Sequence, residues 1–363
     1  MTGATEPSQP YKPSQPAQRS QPQPAEAAEV DDPVARLMLA EAGDLRSSVL
    51  VVDDVAGALS RAVLGTGRRV VATCDDIRAR QSLPAGVVAV DRLDSAEAAE
   101  ALADVDTVLW RLPRSLDAVS ETAELLGTVC PDRVRVVAGG RDKHMTPTMN
   151  PVLARSFDEV HASRGRWKCR VVHASRPIPR EVSWPRTSRL TSVDLELVSY
   201  GAAFASGRLD AGTALLAAHL PTGSGVALDV GCGTGILTVL LARLGWQVTA
   251  SDVSLAAVRS TLDTTRANGL SDLTVGWHDG VRGDPGSVDL VVSNPPFHQG
   301  AAKDSTDAFA FIAGAGEVLR PGGEMWLVYN AHLPYLPYAR EKVGPTRVVA
   351  RDRSYVVTCS TCT

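Results

Sequence analysis

"LDVGCGTG", residues 228–235, decides how this chain is read. The stretch closes the apolar run that begins at Val226 and opens the helix-like Ile236-Leu-Thr-Val-Leu-Leu-Ala-Arg. A glycine turn between a strand and a helix lets backbone N–H groups face a ligand at the helix N-terminus. The spacing is GxGxG, with Gly231, Gly233 and Gly235, and Asp229 stands two residues before the first glycine. The dinucleotide fingerprint is GxGxxG and requires no such acid. Asp252 ends the next strand-like run, 17 residues after Gly235. A carboxylate there can accept hydrogen bonds from two ribose hydroxyls. Asp229 repels phosphate and suits a cationic amino group. The pair therefore fits S-adenosylmethionine, a nucleoside that carries an amino acid and a sulfonium. Asp279, in Trp277-His-Asp-Gly at the end of the third strand-like run, is placed to accept from the adenine amino group; an ordinary turn aspartate reads almost equally well.

A second motif follows the run Val288-Asp-Leu-Val-Val: "SNPPFHQG", residues 293–300. Ligands of open α/β sheets bind outside the carboxyl ends of the strands, and Asn294 stands at that edge. The prolines fix φ and lack N–H groups, so the turn can present carbonyls inward. The amide oxygen of Asn294 and the carbonyl of Pro295 can both accept from a planar exocyclic amine. Phe297, beyond Pro296, offers a face on which a flipped base stacks. Bonding both amine hydrogens aims the nitrogen at a methyl carbon and favours charge building up on it. His298 could orient the base or take the departing proton, but an amine attacking a sulfonium rarely needs a strong base, and a loop role is the simpler reading.

The remainder is a two-domain frame. The chain has 363 residues, 44% apolar and 21% charged, with a formal net charge of -4. That length exceeds what one core usually serves. No apolar run approaches the roughly 18 residues a membrane helix needs, and the N-terminus reads as lacking a secretory signal. Residues 1–32 form a Pro/Gln-rich tail, expected to be disordered. From about Ala35 onward, short β-branched runs alternate with helical patterns, as in βαβ units around parallel sheets. The pattern occurs twice. Val49-Leu-Val-Val-Asp-Asp and Arg69-Val-Val-Ala-Thr-Cys-Asp in the first half match Val226-Ala-Leu-Asp-Val-Gly and Gln247-Val-Thr-Ala-Ser-Asp in the second. The reading is a duplicated doubly wound domain, with copies over 33–160 and 196–363 joined by a basic linker, 161–195. Where the second copy has Gly231-Cys-Gly-Thr-Gly, the first is read as having Asp54-Val-Ala-Gly-Ala. Where the second has Asn294-Pro-Pro-Phe, the first is read as Trp110-Arg-Leu-Pro. The first copy is therefore expected to bind no nucleotide cofactor.

Residues 161–190 carry eight Lys or Arg and one acid, Glu181, with Trp167 and Trp184 interleaved. A positive groove with aromatic faces is how proteins hold single-stranded or looped RNA. The six cysteines are scattered, which reads as a reduced cytoplasm. Cys359 and Cys362 form a CxxC without a second ligand pair, so no metal site is expected.

"NPPFH" and "LDVGCGTG", with "FASGRLDAGTALL" (204–216) upstream, resemble the ribosomal RNA guanine-N2 methyltransferases, the family of small-subunit methyltransferase C and large-subunit methyltransferase G. The likeness continues through Asn330-Ala-His-Leu-Pro-Tyr and Arg353-Ser-Tyr-Val-Val and covers about residues 45–360; "GGRDKHM" (139–145) is closer to the large-subunit member. The resemblance implies two tandem Rossmann-like methyltransferase domains: a degenerate N-terminal copy, and an active C-terminal copy with a seven-stranded, mostly parallel sheet. It implies Asn294, Pro295, Pro296 and Phe297 at the target amine, and Asp229, Gly231, Gly233 and Asp252 at S-adenosylmethionine. It implies ribosomal RNA or a ribosomal subunit as partner. The chain is further expected to be a cytoplasmic monomer without a membrane partner. Arg208 and Asp210 are placed to close over the cofactor, and a helix cap reads as well for Asp210. Methylation of adenine N6 or of a protein glutamine, and a non-catalytic RNA-binding role, are the competing functions.

Overall fold

The computed structural model describes residues 31–295 and 302–363, apart from the side chains of 302–306. The first half contains α1 (Pro33–Ala42), β1 (Ser48–Val52), α2 (Ala58–Gly65), β2 (Arg69–Thr73), α3 (Ile77–Gln81), β3 (Val88–Ala89), α4 (Ala96–Leu102) and β4 (Thr107–Arg111). It continues through α5 (Leu116–Val129), β5 (Arg135–Arg141), α6 (Met149–Leu153), β6 (Phe157–Ala162) and β7 (Cys169–Pro177). A hairpin, β8 (Arg186–Leu190) and β9 (Leu195–Ser199), leads to the second half. There follow α7 (Ala211–Ala217), β10 (Val226–Val230), α8 (Ile236–Arg243), β11 (Gln247–Asp252), α9 (Leu255–Ala267), β12 (Thr274–Trp277) and β13 (Val288–Ser293). The chain closes with α10 (Ala302–Val318), β14 (Leu319–Asn330), α11 (Tyr335–Lys342), β15 (Thr346–Arg351) and β16 (Tyr355–Thr361).

Each half forms a seven-stranded sheet, in the orders β3-β2-β1-β4-β5-β7-β6 and β12-β11-β10-β13-β14-β16-β15. These are the same order. In both, the first five strands run parallel and the last two join antiparallel. Central strands read as continuous apolar runs because helices cover both faces: Val49, Leu50 and Val51 of β1 are fully buried, as are Val291 and Val292 of β13.

The register corrects the residue matching made from sequence. Ser48 pairs with Arg69 at the start of β1 and β2, as Val226 pairs with Gln247 at the start of β10 and β11. Val51 therefore corresponds to Asp229, Asp53 to Gly231 and Cys74 to Asp252. Gly57 and Gly235 cap α2 and α8 in the same left-handed conformation. The first copy's loop is thus Asp53-Asp54-Val55-Ala56-Gly57, one residue earlier than the sequence match. On the other side, Val52 pairs with Trp110 and Asp229 with Val292, so Arg111 stands where the second copy has Asn294. The acids at 53 and 75 invited the wrong alignment. They lie just past the strand ends rather than within the strands.

About half of the stretch read as a basic linker is strand. Strands β6 and β7 complete the first domain through Pro177. The β8–β9 hairpin packs on α9, with Val198 N donating to Thr264 Oγ1 at 3.0 Å and Tyr200 N to Ser260 Oγ at 3.0 Å. Of its basic residues, Arg170, Arg176, Arg186 and Arg189 pair with acids of the chain itself. Trp184 is buried beneath the Arg186 guanidinium, 3.8 Å from the ring centre. Trp167 stays exposed between Arg36 and Arg166. Of the two expected aromatic faces, only Trp167 is exposed.

The domains meet in part through α5. Gly201 lies against α5 so closely that a Cβ would stand 2.3 Å from the Asp117 carbonyl oxygen, and its N–H donates to Glu121 Oε2 at 2.6 Å. Burial pushes the Glu121 carboxyl up to about 7. A Gly201→Ala substitution overpacks this contact and is expected to cost about 1–3 kcal/mol. The check is the urea midpoint; an unchanged value contradicts so close an approach.

Candidate active site

The carboxyl ends of β10, β11, β12 and β13 open onto a cleft of about 820 Å³, the size of pocket that encloses a nucleoside-sized ligand. Its floor is the glycine loop. Gly231 (φ 75°) and Gly233 (φ 57°) take the left-handed region that favours glycine. A Cβ at Gly233 would meet nothing within 4 Å, and one at Gly231 would meet only Ser293 Oγ at 3.9 Å. Both positions face open cleft. Gly235 does not line it: a Cβ there would stand 2.9 Å from the Thr261 backbone, so this glycine serves helix packing instead. The structure thus separates three glycines that the sequence groups together.

Asp252 lines the cleft at the end of β11. Its Oδ2 accepts from Gly233 N at 3.0 Å and its Oδ1 from Ser254 N at 2.9 Å. Each oxygen keeps acceptor capacity for a ligand hydroxyl. Burial raises the pKa of this carboxyl, against the opposing pull of those two backbone bonds. Asp229 lies behind the loop, outside the cleft wall. Its side chain is fully buried, Oδ2 accepts from Thr238 Oγ1 at 2.5 Å, and Oδ1 has no partner among the described residues. Burial pushes it up to about 7, and Asp252 adds repulsion. A buried carboxylate with an unsatisfied oxygen suits a cationic group placed over the loop. Glycine floor, ribose-reaching carboxylate and cation-seeking carboxylate together fit S-adenosylmethionine.

Asp279 and His278 line the far wall after β12. Asn294 and Pro295 lie at the opposite side, just past β13. The Asn294 Nδ2 donates to Asp210 Oδ2 at 2.8 Å and to Thr213 Oγ1 at 2.9 Å. Pro296, Phe297 and His298 lie outside the described residues. Arg208 lines the cleft, and Asp210 caps α7 by accepting from Thr213 N at 2.9 Å.

Several lining residues carried no signal in the sequence. Arg78, Ser115 and Asp117 come from the first domain. Arg78 pairs with Asp76 at 2.7 Å and reaches Asp307 of α10 at 3.2 Å; Asp76, and secondarily Asp279 and Asp307, favour its charged form. Only tertiary packing brings these residues here. Phe204 stands 55% exposed at the cleft, and Tyr355 lines it from β16; both lie in stretches that the resemblance picked out without a role. Among the described residues no group of three or more His, Cys, Asp or Glu could hold a metal ion. Cys359 is buried, its thiol pushed up to about 12.

Comparison with known proteins places this geometry. The family model described as the methyltransferase small domain matches residues 194–359, and that described as the RLMG N-terminal domain matches residues 15–177. Ribosomal RNA large subunit methyltransferase G of Streptomyces griseus is 33% identical, over 86% of this chain and 86% of its own. Its namesake in Pseudomonas aeruginosa is 32% identical over 92% of this chain and 93% of its own. Ribosomal RNA small subunit methyltransferase C of Alcanivorax borkumensis is 38% identical, over 46% of this chain and 53% of its own. In fold, the chain is similar to the T. thermophilus 16S rRNA N2 methyltransferase in complex with AdoMet and guanosine, with a TM-score of 0.78, 23% identity and coverage of 94% and 97% of the two chains.

The buried Asp229 gives a pH-dependent expectation. Its folded pKa, about 7, lies above the ordinary value of 3.8, so the folded state holds a proton that the unfolded state releases. Stability is therefore lost as pH rises from about 4 to about 7. Asp229→Asn removes this loss: the midpoint of the cofactor-free protein gains on the wild type across that window, while S-adenosylmethionine binding weakens. Parallel pH profiles in thermal denaturation contradict the burial of an uncompensated carboxylate.

Proposed function

The chain belongs to the ribosomal RNA methyltransferase family of large subunit methyltransferase G and small subunit methyltransferase C, and on that premise we propose that it methylates the exocyclic N2 amine of a guanosine in large-subunit ribosomal RNA. S-adenosylmethionine is the methyl donor. When bound, it supplies a sulfonium methyl group, which an amine nitrogen takes as the thioether leaves. The choice of subunit follows the relatives that match along most of the chain, which are named for the large subunit. The choice of base draws on the similarly folded protein whose complex holds guanosine.

The observation that carries the reading is the state of Asn294. Its NH2 group is committed to Asp210 and Thr213, so among the described residues the oxygen is the atom left to serve a ligand. An exocyclic amine donates two hydrogen bonds and needs acceptors. Asn294 Oδ1 and the Pro295 carbonyl supply them at the edge of the cleft. Acceptors fixed before the substrate arrives need no reorganisation as charge develops on the nitrogen. The amine proton can leave late to water, so no strong base is required. Gly231, Gly233 and Asp252 hold the cofactor from below, Asp229 draws its ammonium group, and Asp279 faces its adenine. Phe297 and the exposed Phe204 are the faces on which an unstacked base can rest. Arg164, Arg166 and Lys168, with Trp167, offer the first domain's contact to RNA phosphates.

Among the described residues no helix is long and apolar enough to cross a membrane. A duplicated chain can bury within itself what a dimer would bury between subunits, and we read the protein as a monomer of the cytoplasm.

Asn294→Ala separates binding from chemistry. Calorimetry is expected to give a cofactor affinity near that of the wild type, while single-turnover methyl transfer to ribosomal RNA falls roughly 100-fold or more. Full activity in the variant overturns the assignment. Transfer to adenine N6, or to a protein glutamine in place of RNA, would keep the amine-binding turn and replace the substrate.

A further inference from the structure

Asn294 is useful as an acceptor only if its carboxamide is held one way round. Asp210 settles which way. Its Oδ2 caps α7 through Thr213 N at 2.9 Å and receives Thr213 Oγ1 at 3.2 Å. The same oxygen receives Asn294 Nδ2 at 2.8 Å, and Thr213 Oγ1 receives it at 2.9 Å. An ionised carboxylate accepts and cannot donate. The amide end turned toward it must be NH2, which leaves Oδ1 on the opposite side of the carboxamide. Asn294 lines the cleft.

The first domain bears on this independently. Asp32 caps α1, with Val34 N donating to its Oδ1 at 3.1 Å, and α1 packs on β5 and β7 as α7 packs on β14 and β16. Arg111, the counterpart of Asn294, forms an ion pair with Asp32. The link between the capping aspartate and the residue past the fourth strand is therefore present in both copies. In the first copy an arginine makes it and offers no acceptor. In the second an asparagine makes it and keeps one.

We propose that Asp210 is a positioning residue for methyl transfer: it holds the Asn294 carboxamide with its oxygen toward the target amine. This rests on the reading of Asn294 given above. Helix capping and amide orientation then reside in one side chain, so α7 and the strand-end turn are registered to each other.

The test uses the full chain with three substitutions. Asp210→Ser keeps a capping oxygen for Thr213 N but is too short to hold Asn294. Asp210→Asn keeps an oxygen for both, because the helix N-terminus selects its carbonyl. Thr213→Val removes only the hydroxyl and serves if Asp210→Ser fails to fold. Single-turnover transfer to ribosomal RNA is expected to fall roughly 10- to 100-fold in Asp210→Ser. Cofactor affinity and thermal midpoint stay near the wild type. Asp210→Asn restores most of the rate, and Thr213→Val shows a smaller loss. A second readout needs no catalysis: the side-chain NH2 resonances of Asn294, identified by their disappearance in Asn294→Asp, shift and exchange faster in Asp210→Ser. Wild-type transfer and unmoved Asn294 resonances in Asp210→Ser overturn the proposal. A wild-type protein that leaves guanine N2 unmethylated overturns the substrate reading instead, and the resonances still decide whether Asp210 orients Asn294.

Discussion

Two backbone hydrogen bonds hold the cleft in shape. Leu255 N donates to Asp75 O at 2.8 Å, and Ile77 N donates to Val253 O at 2.9 Å. They flank a bridge between Asp76 and Ser254, the capping residues of α3 and α9. Equivalent loops of the two copies thus meet through equivalent atoms. Asp75 also offers its carboxylate to Ala256 N at 2.8 Å, so the first domain caps a helix of the second. The joint lies within three residues of Asp252. A buried N–H or carbonyl left without a partner costs about 1–3 kcal/mol, which makes the joint costly to open. Arg78, next to the joint, lines the cleft, as do Ser115 and Asp117 at the start of α5. The degenerate domain is therefore part of the cleft wall.

The copies diverge at positions that a ligand would touch. Asp229 and Asp252 face Val51 and Cys74 in the first copy, which can bind neither an ammonium group nor a ribose. Gly231 faces Asp53, which keeps the positive φ of 58° without being glycine. Its carboxylate accepts from Asp75 N at 2.9 Å and is pushed up to about 7 by burial and by Asp75. Where one copy leaves its floor open, the other spends a carboxylate on supporting the residue that joins the domains. The same frame thus serves as a binding site in one copy and as a buttress in the other.

The duplication was legible because periodicity and strand order survive in composition. The position of Asn294 was legible because it follows an unbroken apolar run, and runs of that kind end at the carboxyl edge of a parallel sheet. Register was not legible to one residue: Asp53 and Asp54 are adjacent, and nothing in a sequence says which of them takes the place of Gly231. The basic stretch was legible only in part: Arg170, Arg176, Arg186 and Arg189 meet acids of the chain itself, which composition does not show. Trp184 looked like a stacking face and is a core residue. Asp210 read equally as a cap or a lid. It is a cap, and its contact with a residue 84 positions away has no local signature. Gly235 shares its motif with two glycines of the cleft floor, yet its need arises from the helix packed against it.

The most direct test of the account is the nucleoside composition of ribosomal RNA from cells with and without the protein, each subunit's RNA digested separately and read by mass spectrometry. The account predicts that one N2-methylguanosine disappears from the large-subunit RNA of the deletion strain. Labelled S-adenosylmethionine and the purified protein should restore it, and the Asn294→Ala variant should not. Unchanged N2-methylguanosine in both subunits, with cofactor binding intact, would contradict the reading of the Asn294 turn as a guanine amine site.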